Sequence, residues 1–313
     1  MLKYVLVKRI PQIILVMFLA LTLSFYLVRA IPGDPIEVML GESPATPEMR
    51  EHLRKVLGLD RPIHEQYLIY IQRLLSGDWG KSIFMGIPVR ELIFSRFINT
   101  LLLATCSMIL SIMIGIPLGV IAALKRESII DHIIRGVTLF GYSIPVFWWG
   151  LILIYVFSVN LKLLPSIGFG TPQHLILPSI TVATLVSASI ARITRISMLE
   201  VLNQDYVIAG KAKGLSQYII LRDYILRNAI IPVVTIVGLN FGTLLTGSVV
   251  TETIFAYPGI GKLMVDAMYM RDYPIVTSGI FFLALMFSLV NLLVDILYTY
   301  LDPRVKLERS ISV

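Results

Sequence analysis

The chain has 313 residues, of which 56% are hydrophobic and 15% are charged, with a net charge of +7 and a mean hydropathy of +0.81. Soluble domains carry roughly a quarter charged residues, so this composition excludes an ordinary water-soluble fold and indicates a membrane protein. The basic residues fall between apolar runs, which indicates membrane topology rather than a nucleic-acid partner.

Six apolar stretches approach the roughly 20 residues that a helix needs to cross about 30 Å of hydrocarbon. They predict an all-α, polytopic membrane protein with six transmembrane helices. In chain order the stretches are 10–28, 101–124, 136–159, 175–191, 229–250 and 275–297. The first is too long for a typical signal-peptide core and is followed by a poor cleavage site, so we interpret it as a retained helix.

Lysine and arginine residues are distributed unevenly over the joining segments. The N-terminal end, the segments after the second and fourth stretches, and the tail together hold 15, whereas the short segments on the other side hold 3. By the positive-inside rule, both termini are expected in the cytoplasm of a cell whose inner membrane holds the chain. The expected organisation is 1–31 (tail and first helix), 32–98 (extracytoplasmic cap), 99–301 (core with five helices and an inside loop at 192–228) and 302–313 (cytoplasmic tail).

The cap segment carries helix start and stop signals. Thr46 followed by Pro47 predicts a helix start, and Gly58 after Leu57 predicts its end. A second helix is predicted over 62–75. Its apolar stripe would consist of Ile63, Tyr67, Tyr70 and Leu74.

The inside loop contains a second punctuated segment. Asp205 is expected to cap a short helix from Val207 to Lys213 that ends at Gly214. Small residues cover that helix at Ala209, Gly210 and Ala212. A helix this short and small-faced gains little from its own burial, so we interpret it as an element that docks into a partner.

Motifs for catalysis or metal binding are incomplete. Gly80-Lys81-Ser82 lacks the first glycine of a P-loop, because position 75 is leucine. The four histidines, at positions 52, 64, 132 and 174, have no His or Cys partner at ligand spacing, and Cys106 is the only cysteine. We therefore expect no catalytic residue, no metal site and no ATP site in this chain.

Small and polar residues pattern the apolar stretches. Two Gly-x-x-x-Gly pairs, Gly115 with Gly119 and Gly238 with Gly242, predict close helix packing. The candidates for lining a translocation pathway are Asn240, Thr243, Thr246 and Ser248. Among charged residues, Asp295 is expected to pair with a neighbouring polar group. Arg192 and Arg195 are expected to extend to the inner surface.

The string Asp205 to Ser216, with Leu226-Arg227-Asn228-Ala229-Ile230-Ile231-Pro232 after it, resembles the cytoplasmic coupling loop of ABC importer permeases. The general motif of that family is Glu-Ala-Ala, three residues, then Gly. Here Ile208, Ala209, Gly210 and Gly214 occupy those positions, a form similar to that of the dipeptide, oligopeptide and nickel subfamily.

Further strings typical of that subfamily occur in order along the chain. They are 57–62 (LGLDRP), 77–80 (GDWG), 115–119 (GIPLG), 252–261 (ETIFAYPGIG), 271–274 (RDYP) and 301–304 (LDPR). The large segment between the first two apolar stretches resembles that of the first, B-type permease subunit.

The resemblance implies a type I ABC importer permease that works with other subunits. These are a similar second permease, two cytoplasmic ATPases that bind ATP and Mg²⁺, and an extracytoplasmic binding protein. Lipid surrounds the chain, and the chain itself holds no cofactor. The implied ATPase-coupling residues are Asp205, Tyr206, Ala209, Gly210, Ala212, Lys213, Gly214 and Leu215.

The cargo stays open between two classes. Peptides fit the subfamily best, and nickel or a metal chelate is the alternative, since His174 in the string 168–174 would meet metal near the outer mouth. An intramembrane enzyme would need a catalytic partner for Asp295, and none is evident in the sequence. A passive channel would leave the docking helix at 205–215 unexplained.

Overall fold

The computed structural model describes residues 2–30, 33–40 and 46–301. The predicted tail at 302–313 lies outside this part of the chain. The helices, in chain order, are α1 (Leu2–Ala30), α2 (Pro35–Leu40), α3 (Pro47–Leu57), α4 (Ile63–Leu75), α5 (Val89–Leu124), α6 (Ile129–Ser143), α7 (Val146–Leu153), α8 (Gln173–Leu202), α9 (Asp205–Ala212), α10 (Gln217–Ile219), α11 (Arg227–Leu245), α12 (Val249–Ile254), α13 (Ile260–Met270) and α14 (Tyr273–Leu301). π-Helical turns at Ile154–Asn160 extend α7, and others at Ile220–Leu226 join α10 to α11.

Five helical runs of the described residues are long and apolar enough to cross a bilayer: α1, α5, α8, the run Gln217–Leu245, and α14. The third predicted span is bent instead of straight, because α6 and the α7 run meet at an angle of 101°. Pro145 lacks a backbone N–H, and Ile144 before it adopts an extended conformation. The all-α membrane fold is confirmed, with six spans if the bent pair is one span, but the single helix at 136–159 is wrong.

The fifth span ends earlier than predicted. α11 stops at Leu245, and Gly247 has a φ of 102°, which a residue with a side chain rarely adopts. A Cβ at Gly247 would also lie 3.1 Å from the Cα of Gly261. The chain therefore turns here and restarts as α12, so the prediction that this helix runs on to Val250 is wrong.

Both glycine pairs allow helices to approach closely. α5 packs along α8 in the most extensive helix contact of the described residues. A Cβ at Gly115 would lie 2.7 Å from the carbonyl oxygen of Ser187 on α8. Gly242 faces Val290 of α14, where a Cβ would lie at 3.2 Å. The predicted close packing is confirmed, and it lies within this chain.

The helices between α1 and α5 follow their sequence signals. The Thr46 hydroxyl accepts a hydrogen bond from the Met49 amide, and Gly58 ends α3 with a φ of 67°. On α4, Tyr67 hydrogen-bonds Thr22 of α1, and Tyr70 lies 3.0 Å from the Ser278 hydroxyl of α14. Leu74 of the predicted stripe is buried as well, but Ile63 is 44% exposed and lies off the contact.

Candidate functional site

The docking segment at 205–215 forms α9, with a start different from the one predicted. The helix begins at Asp205 itself, and Gln204 occupies the N-cap position without a side-chain hydrogen bond. The prediction that Asp205 is the cap is therefore wrong. Its carboxylate in the first turn still interacts favourably with the positive end of the helix dipole. After the helix, Gly214 adopts a φ of 75°. The amide of Leu215 then donates to the Gly210 carbonyl at 3.3 Å, which closes the turn.

One side of α9 is anchored to the body of the protein. Val207 is fully buried in a cluster with Ala123 of α5, Met198 of α8 and Ile225. Gly210 is also buried. Tyr206 and Leu215, both half-buried, pack against the edge of this cluster. The contacts fix the helix to the C-terminal ends of α5 and α8.

The other side of α9 is exposed and has no partner among the described residues. Asp205, Ile208, Ala209 and Ala212 are exposed, and their spacing places them on one face of the helix. Ile208, with 56% of its surface exposed, is the largest apolar side chain of that face. Lys213 and Gly214 are exposed at its end. The face therefore presents one isoleucine flanked by two alanines.

The pathway-lining candidates lie at the C-terminal end of α11 and in the turn after it. Thr243 is exposed, and its hydroxyl donates to the Leu239 carbonyl. Thr246 similarly donates to the Thr243 carbonyl at 2.7 Å, so both hydroxyl protons are used within the helix. Asn240 is half-buried, and its side-chain nitrogen has no hydrogen-bond partner among the described residues. Ser248, also half-buried, precedes α12.

A buried ion pair between the first turn of α6 and the last third of α8 was not predicted. Asp131 is fully buried and accepts two hydrogen bonds of 2.8 Å from the guanidinium of Arg195. The expectation that Arg195 extends to the inner surface is therefore wrong, because its fork pairs inside the protein. Arg192 is exposed, and its extension to the inner surface stays a prediction. Since the partners are 64 residues apart, no local spacing in the sequence could indicate the pair.

A second buried carboxylate holds the loop after α11 against α5. Glu252 of α12 is fully buried and accepts hydrogen bonds from the Thr100 hydroxyl at 2.7 Å and from the Lys262 amide at 3.0 Å. Burial raises the pKa of the Glu252 carboxyl above its ordinary value, and these hydrogen bonds partly offset that rise. Nearby, the Tyr257 hydroxyl donates to the Asn99 carbonyl at 3.0 Å. The loop is thus attached to the N-terminal third of α5.

The acidic residue of the last span has a cationic partner. Asp295 lies 2.7 Å from the guanidinium of Arg9, which joins α14 to α1. The expectation that Asp295 pairs with a neighbouring polar group is confirmed.

Comparison with known proteins gives family matches over most of the chain. Residues 1–104 match the family described as "Binding-prot-dependent transport system membrane comp, N-term". Residues 115–307 match "Binding-protein-dependent transport system inner membrane component".

Individual relatives cover nearly the entire chain. The dipeptide transport system permease protein DppB of Escherichia coli K12 is 43% identical over 92% of this chain and 95% of its own length. The di/tripeptide permease DppB of Pseudomonas aeruginosa is 44% identical over 96% and 98%. The glutathione transport system permease protein GsiC of E. coli K12 is 42% identical over 98% and 99%.

The fold is also found in a solved structure. An inward-facing form of the MetNI methionine ABC transporter superposes with a TM-score of 0.58 and 20% identity over 68% of this chain and 97% of the other. At this identity the likeness concerns the fold alone, which is that of an importer permease. The chain is a multi-pass membrane protein and a transport subunit rather than an enzyme. Its matches place it in the family of binding-protein-dependent transport system inner membrane components.

Proposed function

We propose that this chain is the first permease subunit of an ATP-driven importer of dipeptides or oligopeptides. The observation that carries the proposal is the exposed small-residue face of α9 on a helix whose other side is buried in the core. The names of the relatives support a peptide cargo, because they concern dipeptides, tripeptides and glutathione.

In this proposal, two cytoplasmic ATPases bind ATP and Mg²⁺, and one of them receives α9. Ile208 enters an apolar cleft, while Ala209 and Ala212 let the ATPase surface approach closely. A similar second permease completes the membrane pathway, and Asn240, Thr243, Thr246 and Ser248 line it towards the outside. A binding protein delivers the peptide, and both termini face the cytoplasm.

Nickel as cargo has less support. The His174 imidazole is already hydrogen-bonded, with its Nδ1 lying 2.8 Å from the Thr171 hydroxyl. Within the described residues, no cluster of three metal-ligating side chains occurs around it. A local turn accounts for this histidine without a metal.

Transport by the assembled complex tests the proposal. The chain is reconstituted with its second permease, both ATPases and the binding protein, and uptake of radiolabelled dialanine is compared with uptake of nickel. Ala209→Trp should abolish ATP-driven uptake but leave the amount of folded protein unchanged, because Ala209 lies on the exposed face of α9. Arg126→Trp, at an exposed position of the α5–α6 turn outside the docking segment, is the matched control and should transport normally. Normal dialanine uptake by Ala209→Trp would contradict the docking assignment, and uptake of nickel alone would contradict the cargo.

The proposed topology places the segment 32–98 outside the cell. With Cys106 replaced by Ala, a single cysteine at position 50 should react with an impermeant maleimide in intact cells. Labelling only in inverted vesicles would place the segment in the cytoplasm and the termini outside, which would contradict the proposed topology.

A further inference from the structure

Three arginines line one cavity between the helices. The cavity has a volume of about 600 Å³ and is bordered by α5, α6, α8 and one residue of α11. Arg135 comes from α6, whereas Arg192 and Arg195 come from α8. No acidic residue lines it, but Asp131 lies behind its wall. The cavity is therefore basic and is walled by apolar side chains between the arginines.

The charges around this cavity do not balance. Asp131 is shared, because it pairs with Arg195 at 2.8 Å and lies 3.5 Å from Arg135. The nearby Glu127 pairs with Arg126 at 3.2 Å. In the described part of the chain, Arg192 forms no ion pair or hydrogen bond with any side chain. Three guanidinium groups thus face one buried carboxylate, which leaves an excess of two positive charges.

The position of Arg192 along α8 indicates the surroundings of its side chain. It stands ten residues before the end of α8, which corresponds to about 15 Å along the helix axis. It also directly follows the apolar stretch 175–191, where a charged side chain is stable because it faces a cavity rather than hydrocarbon. α8 is also the most buried of the five long spans. The part of its surface that the other helices leave uncovered borders the cavities.

A second cavity borders two of the same side chains. It has a volume of about 690 Å³ and shares Ile193 and Ile236 with the arginine-lined cavity. It extends along α8 to Glu200 and reaches Tyr206 of α9. The two cavities are together called the groove.

We infer that Arg192, with Arg135 beside it, binds the C-terminal carboxylate of a peptide that moves through this groove. The inference rests on the proposed function. Every free peptide carries this carboxylate, and a guanidinium fork matches its planar geometry with two parallel hydrogen bonds. Because Arg195 is already occupied by Asp131, Arg192 is the group available to the cargo. The site would select for free peptides over peptides without a terminal negative charge.

The test compares uptake of dialanine and of its C-terminal amide by the complete reconstituted importer. The ratio of the two rates is measured for the unmodified chain and for Arg192→Gln, so that any preference of the binding protein cancels between variants. The ratio should fall about tenfold in Arg192→Gln, which corresponds to the loss of roughly 1.4 kcal/mol of carboxylate recognition. Arg192→Lys should keep part of the preference, and Arg126→Gln, an arginine outside the cavity, should keep all of it.

An unchanged ratio in Arg192→Gln, together with normal dialanine uptake by the unmodified chain, would overturn the inference while leaving the proposed function intact. No dialanine uptake by the unmodified chain would instead refute the proposed function. The assay is repeated in vesicles of phosphatidylcholine with and without phosphatidylglycerol. An effect of Arg192→Gln that is equal for peptide and amide, and appears only with phosphatidylglycerol, would assign the cavity to a lipid headgroup and also overturn the inference.

Discussion

Arg195 of α8 and Asp131 of α6 form a two-pronged ion pair in which the carboxylate is fully buried and both hydrogen bonds measure 2.8 Å. The pair joins α6, the first half of the bent span, to α8, the most buried of the five long spans. The adjacent Glu127 amide also donates to the Asp131 carboxylate, at 3.1 Å. The start of α6 is therefore held by charge as well as by packing.

Arg195→Ala should destabilise the protein strongly, because it leaves the Asp131 charge buried without its main partner. A loss of about 3 kcal/mol is typical for breaking a buried pair. The thermal midpoint in detergent, followed by fluorescence-detected gel filtration, measures the effect. The double variant Asp131→Asn, Arg195→Ala should recover part of the loss, and a double variant less stable than Arg195→Ala would show that the pair does not act as a unit.

Gly115→Ala should also lower the thermal midpoint, because the new methyl group would overlap the Ser187 carbonyl oxygen of α8. Overpacking of this kind costs about 1–3 kcal/mol. Gly136 is the matched control, since it also lies in a helix but has open space around its Cα. Gly136→Ala should be neutral or slightly stabilising through its helix preference. Equal effects of the two changes would contradict the close contact of α5 with α8.

Gly214→Ala should impair coupling more than folding. The position has a φ of 75° and no atom near a Cβ, so the cost is backbone strain at the end of α9, about 1 kcal/mol. Gly58 at the end of α3 is a matched control, with a φ of 67° and equally open surroundings. Both variants should lose similar stability, but only Gly214→Ala should lower the number of peptides transported per ATP hydrolysed. The same ratio in both variants would argue against a special role for the α9 terminus.

Reversal of either charge in the Arg9–Asp295 pair should loosen α1 from α14. Arg9→Asp or Asp295→Arg alone places like charges together in the membrane region, and each should cost about 1–2 kcal/mol in the thermal midpoint assay. The double reversal should restore most of the midpoint. A double variant that remains as unstable as the single ones would show that the pair contributes through local surroundings rather than through mutual attraction.

The sequence predicted features that depend on local chemistry. The apolar runs, the Thr46 cap, the Gly58 stop, the glycine pairs and the presence of a helix near 207–213 all follow from nearest neighbours. The wrong predictions have a common cause. In each, the outcome was decided by a backbone conformation or by a side chain far away in the sequence. Pro145 bends the third span, and Gly247 ends the fifth early.

Distant partners account for the missed polar groups. On sequence alone, Asp131 has no assigned role, Arg195 is expected at the inner surface and Glu252 is named only within a family string. Their roles depend on which helices meet, and a single sequence holds no signal for that. Within the docking segment, the residue types were known in advance, but only the structure separates the exposed Ile208, Ala209 and Ala212 from the buried Val207 and Gly210.

One helix reaches both of the attachments described above. α5 holds Thr100, which hydrogen-bonds Glu252 in the first half of the helix, and Ala123, which packs with Val207 of the docking segment at the C-terminal end. These two positions are about 35 Å apart along the axis at the usual rise per residue. Because close-packed protein interiors transmit strain, we expect a displacement of α9 to reach the loop around Glu252 through α5. In the proposed function, α5 would therefore link the binding of an ATPase at α9 to the position of that loop.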